Sequence, residues 1–141
     1  AEASRRDMAY AFFPIDLGDV HPNTVKMELV GVNGKERTIR ACSIGGGRIE
    51  IREIDDLLVS FGGDYPTLII RNRDIPGQVR QVSTFLAEEH INIGMMQLYR
   101  SSRGADAVMV IECDKEIPAE IVPALEALDG IVKATYLSLE E

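Results

Sequence analysis

The stretch Thr67-Leu68-Ile69-Ile70-Arg71-Asn72-Arg73-Asp74-Ile75-Pro76-Gly77-Gln78-Val79 decides the fold. Its first six residues form a short β-branched and apolar run of strand length. Asp74 and Pro76 then supply helix-start chemistry, and Ile75, Val79, Val82, Phe85 and Leu86 recur at helical spacing on one face. Downstream, Ile93 to Arg100 and Ala105 to Cys113 read as two more strands, joined by the polar turn Ser101-Ser102-Arg103-Gly104. Pro118 opens a second helical pattern with Ile121, Val122, Leu125 and Leu128 on one stripe; Asp129-Gly130 stops it, and Ile131 to Leu139 closes as a strand. The order β-α-β-β-α-β over about 75 residues predicts an α+β, ferredoxin-like domain, a four-stranded antiparallel sheet with both helices on one face.

The other face of that sheet needs a cover. Met95, Gln97 and Tyr99 alternate with Met96 and Leu98, so apolar side chains stand on both faces, which predicts pairing with another copy or another domain. Upstream, Phe61-Gly62-Gly63-Asp64-Tyr65-Pro66 concentrates turn formers and sets the expected division, with residues 1–62 in one unit and 63–141 in the other. In the first unit Val25, Met27 and Leu29 alternate with mostly polar neighbours. Asn33-Gly34 is a two-residue hairpin signal, Thr38 to Ser43 returns as the partner strand, and Ile49 and Ile51 continue beyond Gly45-Gly46-Gly47. This is a small strand-rich piece, and about sixty residues bury too little apolar surface to stand comfortably alone. It reads as the remainder of a larger module. Between Asp7 and Phe13 the pattern does not separate helix from strand.

Composition bounds the function. In the 141 residues, apolar types make up 45% and charged types 27%, and 15 Lys and Arg against 23 Asp and Glu leave a net charge of −8. That sign excludes nucleic acid as an expected partner. The longest apolar stretch, Met8 to Ile15, contains Pro14 and is far short of the roughly 18 to 20 residues of a membrane span. No signal-peptide pattern opens the chain, so the cytoplasm is the expected compartment. Cys42 and Cys113 lie outside any ligand-spaced motif and read as small buried residues; His21 and His90 are solitary; no metal site is expected. Ser43, Ser60 and Ser83 lack a nucleophile-elbow setting, so no catalytic residue is assigned. Asp55-Asp56 and Glu88-Glu89 read as solvated surface, and Glu140-Glu141 as a charged tail.

Two places suit a ligand. At Arg73 to Val79 a helix start offers unpaired N–H groups to a carboxylate, Gly77 leaves that backbone uncovered, and Asp74 can accept hydrogen bonds from an ammonium. Together these suit a zwitterion, and Asn92 can complete the site if it lies alongside. The alternative is structural: Asp74 caps the helix, Pro76 shapes the turn and Asn92 occupies another turn. The second place combines His21-Pro22-Asn23-Thr24 with Ser43-Ile44-Gly45-Gly46-Gly47, where consecutive glycines permit an anion-holding nest or serve as a strand connection.

Asp74-Ile75-Pro76-Gly77 and Ile91-Asn92-Ile93 make residues 65–139 resemble an ACT domain, an amino-acid-sensing module. His21-Pro22-Asn23-Thr24-Val25, Ser43-Ile44-Gly45-Gly46-Gly47 and Gly63-Asp64-Tyr65-Pro66-Thr67-Leu68, in this order, further resemble the β chain of iron-sulfur-dependent L-serine dehydratases. In that family the segment before the ACT domain belongs to an allosteric substrate-binding domain. The resemblance is to the regulatory C-terminal part, because the family's Gly-Pro-Ser-Ser-Ser-His-Thr stretch and cluster-holding cysteines have no counterpart here.

The resemblance implies L-serine or a similar amino acid as ligand, contacted by Asn72, Asp74, Gly77 and Asn92 at the interface of an ACT homodimer. His21, Asn23, Ser43, Gly45, Gly46 and Gly47 form a candidate second contact loop. It also implies a catalytic α chain or domain that converts L-serine to pyruvate and ammonia with a 4Fe-4S cluster not held by this chain. Two alternatives are the regulatory end of a D-3-phosphoglycerate dehydrogenase and a free-standing amino-acid-sensing ACT protein.

Overall fold

A computed structural model describes residues 8–100 and 106–138. Strands β1 (Thr24–Val30), β2 (Glu36–Gly45), β3 (Arg48–Ile54) and β4 (Leu57–Phe61) form an antiparallel sheet in sequential order. A second sheet holds β5 (Thr67–Arg73), β6 (Ile93–Arg100), β7 (Asp106–Cys113) and β8 (Ile131–Leu137), in the order β6-β7-β5-β8. Helices α1 (Gln78–Glu88) and α2 (Ile121–Glu126) follow β5 and β7. All pairings in the second sheet are antiparallel, and the two strands that precede the helices lie side by side at its centre, which is the ferredoxin-like arrangement. The expected turn at Ser101 to Gly104, Leu139 and the Glu140-Glu141 tail lie outside the described residues.

One core lies between this sheet and its helices. Leu68 and Ile70 of β5 and Met109 and Ile111 of β7 meet Val82 and Leu86 of α1 and Ile121 and Leu125 of α2. Both helices are shorter than the spacing predicts. Gly77 sits at φ 93 as the residue before α1, so Ile75 stays outside the helix and remains exposed. Leu128 falls beyond the end of α2 but still packs on the core.

The predicted cover for the other sheet face comes from the front half of the same chain. Val59 and Phe61 of β4 pack on Val108 and Val110 of β7, with Ile51, Ile54, Leu57, Ile69 and Tyr99 around them. The Tyr99 hydroxyl donates to the Ser60 carbonyl at 3.4 Å across the junction. Because β7 alternates, Met109 and Ile111 serve the helix side while Val108 and Val110 serve the sheet side, and Ala107 through Cys113 are all buried.

The front sheet corrects the reading of Asn33-Gly34 and of Asp55-Asp56 and agrees with Gly45 to Gly47 as a strand connection. Asn33-Gly34 belongs to a five-residue loop, 31–35, because Val30 pairs with Glu36; Gly31 and Lys35 bond across it at 2.8 Å and Asn33 Oδ1 accepts from Lys35 N. Gly46-Gly47 is the two-residue turn between β2 and β3, with Gly45 paired to Arg48 and Gly45, Gly46 and Gly47 at φ 90, 63 and 76.

Asp55-Asp56, expected as solvated surface, is the hairpin turn into β4, at φ 49 and 67. Its Asp55 accepts from Thr38 N at 2.9 Å and pairs with Arg37 at 2.5 Å, which ties the turn to β2. Residues 8–23 contain no helix or strand, and no helix among the described residues is long and apolar enough to cross a membrane.

Candidate functional site

The ferredoxin-like topology brings three chain segments to one end of the second sheet: the end of β5 with the start of α1, the end of β6, and the turn before β8. Arg73 N donates to Gly130 O at 2.8 Å, which locks the β5 end against that turn. Gly77 then enters α1 in the left-handed conformation that glycine adopts without strain, and a Cβ added there would meet nothing within 4 Å. The first bond inside the helix runs from Gln81 N to Gly77 O at 3.0 Å, so the amides of Gln78, Val79 and Arg80 have no acceptor within it. No side chain caps this end. The structural alternative for Asp74 as a helix cap is therefore overturned: its carboxylate instead meets Arg100 Nε of β6 at 3.1 Å. The Arg100–Asp74 pair is matched internally, but Arg100 is 78% exposed, so a zwitterion can replace the pair, its carboxylate taking the free amides and Arg100 and its ammonium taking Asp74.

Asn72 stands at the base of the loop, 2% exposed, and its Nδ2 donates to Arg73 O at 2.7 Å while its Oδ1 has no partner among the described residues. Asn72, Asp74 and Gly77 are thus gathered in one place. Asn92 is not with them. Ile93 pairs with Cys113 and Arg73 with Asp106, so these neighbours of Asn92 and Asp74 lie seven β7 residues apart, about 23 Å along the strand, and Asn92 and Asp74 stand beyond opposite ends of that span. Asn92 donates to the Asp114 carboxylate at that far end. Sequence reasoning missed Arg100; the signal was available, since β6 runs parallel to β5 in this topology and must end at the same edge.

The candidate second contact loop divides. Ser43 N donates to Asn23 O at 3.0 Å, and Thr24 Oγ1 donates to His21 O at 2.5 Å. His21 Nδ1 accepts from Asn23 N at 3.2 Å, which makes it part of its own turn. His21 borders a cavity of about 450 Å³ with Arg40, Cys42 and Arg52, whereas Ser43 alternates to the opposite face and Gly45 to Gly47 form the hairpin beyond. Arg40 pairs with Glu53, and Arg52 with Glu50 at 2.8 Å, so both cations there are already matched. A larger groove of about 560 Å³ opens between the two sheets, walled by apolar side chains such as Ile39, Ile54 and Ile69. Two ion pairs at its rim, Arg37 with Asp55 and Arg71 with Asp106, are internally matched as well.

Cys42 and Cys113 are free, buried, and in different sheets. Burial, aided by the nearby Asp114 charge, pushes the Cys113 thiol up to about 11, against the thiolate form that an iron-sulfur cluster needs. The two residues do not fit a cluster, and no group of three or more His, Cys, Asp or Glu among the described residues is arranged to hold a metal ion.

Comparison with known proteins agrees with this architecture. Residues 66–130 match the family model of the ACT domain. The chain is 34% identical over 123 residues to a probable L-serine dehydratase β chain of Bacillus subtilis, covering 87% of this chain and 56% of that relative. It is 27% identical over 138 residues to the L-serine dehydratase β chain of Peptoniphilus asaccharolyticus, covering 97% of this chain and 62% of the relative. A D-3-phosphoglycerate dehydrogenase of Methanocaldococcus jannaschii is 30% identical over 89 residues, which covers 63% of this chain and 17% of that enzyme. The chain therefore spans about six-tenths of the serine dehydratase β chains that it matches.

Proposed function

We propose that this relative of the L-serine dehydratase β chains is their regulatory part, with its ACT domain binding L-serine or a closely related amino acid. The observation that carries the reading is the loop Asp74 to Gly77, where free helix-start amides, Arg100, Asp74 and the unpartnered Asn72 oxygen stand together at one sheet end. The carboxylate of the amino acid takes the amides and Arg100; its ammonium takes Asp74 and Asn72. Asn92 reaches this site only from a second copy, so the reading includes a homodimer in which each ligand is held by both chains. A ligand with unequal affinity for two dimer arrangements shifts them by that ratio, and coupling of about 1 to 3 kcal/mol suffices for regulation.

In the complete enzyme, the conversion of L-serine to pyruvate and ammonia would belong to a catalytic α chain or domain, which would hold the 4Fe-4S cluster and its Lewis-acid chemistry in place of this chain's two buried cysteines. This chain supplies binding and coupling, and the cytoplasm is its compartment.

Calorimetric titration of L-serine into the purified chain tests the reading. Saturable binding is expected, weakened about tenfold or more in Asn72→Ala and Asp74→Ala, together with a rise in melting temperature at millimolar serine. Undiminished binding in both variants rules out this pocket. A second reading, the regulatory end of a phosphoglycerate dehydrogenase, is favoured by the 30% identity to the archaeal enzyme; it predicts the same pocket, but coupling to an oxidoreductase.

A further inference from the structure

Gln78, the first residue of α1, is 7% exposed. Its Nε2 donates to Asp129 O at 3.3 Å, and Gln81 Nε2 donates to the same carbonyl at 2.8 Å. The Gln78 Oε1 meets no donor, and with Asn72 Oδ1 it completes the set of buried side-chain polar atoms left unpartnered among the described residues.

Both belong to one neighbourhood. Asn72 pairs with Ile131 in β8, and the Gln78 amide lies against the adjacent Gly130, where a Cβ would come within 2.6 Å of Nε2 and 2.9 Å of Oε1. Gly130, at φ +80, is the residue that makes room for this side chain. An unpaired buried carbonyl is costly, and turning the Gln78 amide over would only set its oxygen against the Asp129 carbonyl. Two such oxygens at the base of a loop with free amides have a common explanation in a ligand that brings the missing donors.

Both atoms are acceptors, so that ligand must donate. A primary ammonium carries three N–H donors and a charge; the hydroxyl of a 2-hydroxy acid carries one donor and no charge, and a 2-oxo group carries none. We infer that Gln78 Oε1, acting with Asn72 Oδ1, accepts from the ligand ammonium, and that Gln78 thereby makes the site select amino acids over 2-hydroxy and 2-oxo acids of the same size. The inference rests on the reading that this loop binds an amino acid.

The test titrates L-serine and L-glycerate, which has a hydroxyl in place of the ammonium, into the unmodified chain, Gln78→Met and Gln78→Glu. The unmodified chain should prefer serine at least tenfold. In Gln78→Met, which keeps the length of the side chain but not its carbonyl, serine affinity should fall about tenfold and glycerate affinity stay level, so the preference collapses. Gln78→Glu keeps one oxygen as an acceptor but sets its other oxygen against the Asp129 carbonyl, so it should retain the preference for serine over glycerate while melting lower than the unmodified chain. Ligand-free Gln78→Met should melt no lower than the unmodified chain, a result that a purely structural role would not give. A serine preference retained in Gln78→Met overturns the inference while leaving the amino-acid site standing; failure of the unmodified chain to bind serine at all overturns both.

Discussion

Along β7 every side chain from Ala107 to Cys113 is buried, whereas along β1 every side chain from Val25 to Val30 is exposed. Both are strands with apolar alternation, and Val25, Met27 and Leu29 stand on the same face as Ile39, which borders the groove between the sheets. Their difference lies in what each face meets. β7 sits between two covers, helices on one side and β3 and β4 on the other; β1 has no such cover among the described residues. Alternation therefore fixes which face a side chain joins, but burial requires an opposing layer of the right extent.

This contrast makes energetic predictions. Leu86→Ala removes a side chain with no solvent exposure from the helix-side core, and should lower unfolding stability by about 3 to 4 kcal/mol in urea titration. Met27→Ala on β1, 37% exposed, should change it by about 0.5 kcal/mol or less. Equal losses would break the comparison, because they would mean that β1 is covered in solution. Phe61→Ala tests the junction between the sheets and should cost about 2 to 3 kcal/mol, less than a typical buried Phe because the neighbouring groove lets the site relax. Hydrogen exchange should then speed up in residues 24–61 more than in β5, β7 and β8, since the helix-side core is untouched.

The same contrast separates what was legible in the sequence from what was not. Residues 67–137 carry both periods, two for strands and 3.6 for helices, with turn formers between them, and the ferredoxin-like order followed from that alone. Asp74 and Gly77 could be placed beside one another because they are neighbours in sequence. Asn92 is misplaced by local pattern alone: its position depends on which end of the sheet β6 enters, which the ferredoxin-like topology fixes only once strand directions are followed through β7. Arg100 went unseen for the same reason, and Gln78 because an unpaired oxygen exists only relative to folded neighbours. In the front half, the charge of Asp55-Asp56 points to surface, because charge usually signals solvent. Its location between Ile54 and Leu57, two residues between two apolar runs, carried the hairpin signal, and Asp tolerates the left-handed backbone that such a turn demands.

Glu112 lies at the margin of the buried β7 face. It is the β7 residue that alternates toward the front sheet where the apolar cover gives out, and it is only 9% exposed. Burial raises its carboxyl above the usual 4.5, and the nearby Asp64 charge raises it further. The folded chain thus holds the Glu112 proton more tightly than the unfolded chain. Below pH 4.5 the group is neutral in both states and costs nothing; as pH rises through the folded value, folding must bury a charge and stability is lost. Glu112→Gln should therefore stabilise the protein at pH 7, with the gain shrinking toward zero as the pH approaches 4, measured as the difference in urea midpoints across that range. Asp64→Asn should recover a smaller part of the same gain, because it removes only the second cause. A Glu112→Gln variant less stable at pH 7 than the unmodified chain would mean that this carboxylate has a cationic partner and that the sheet junction closes differently there.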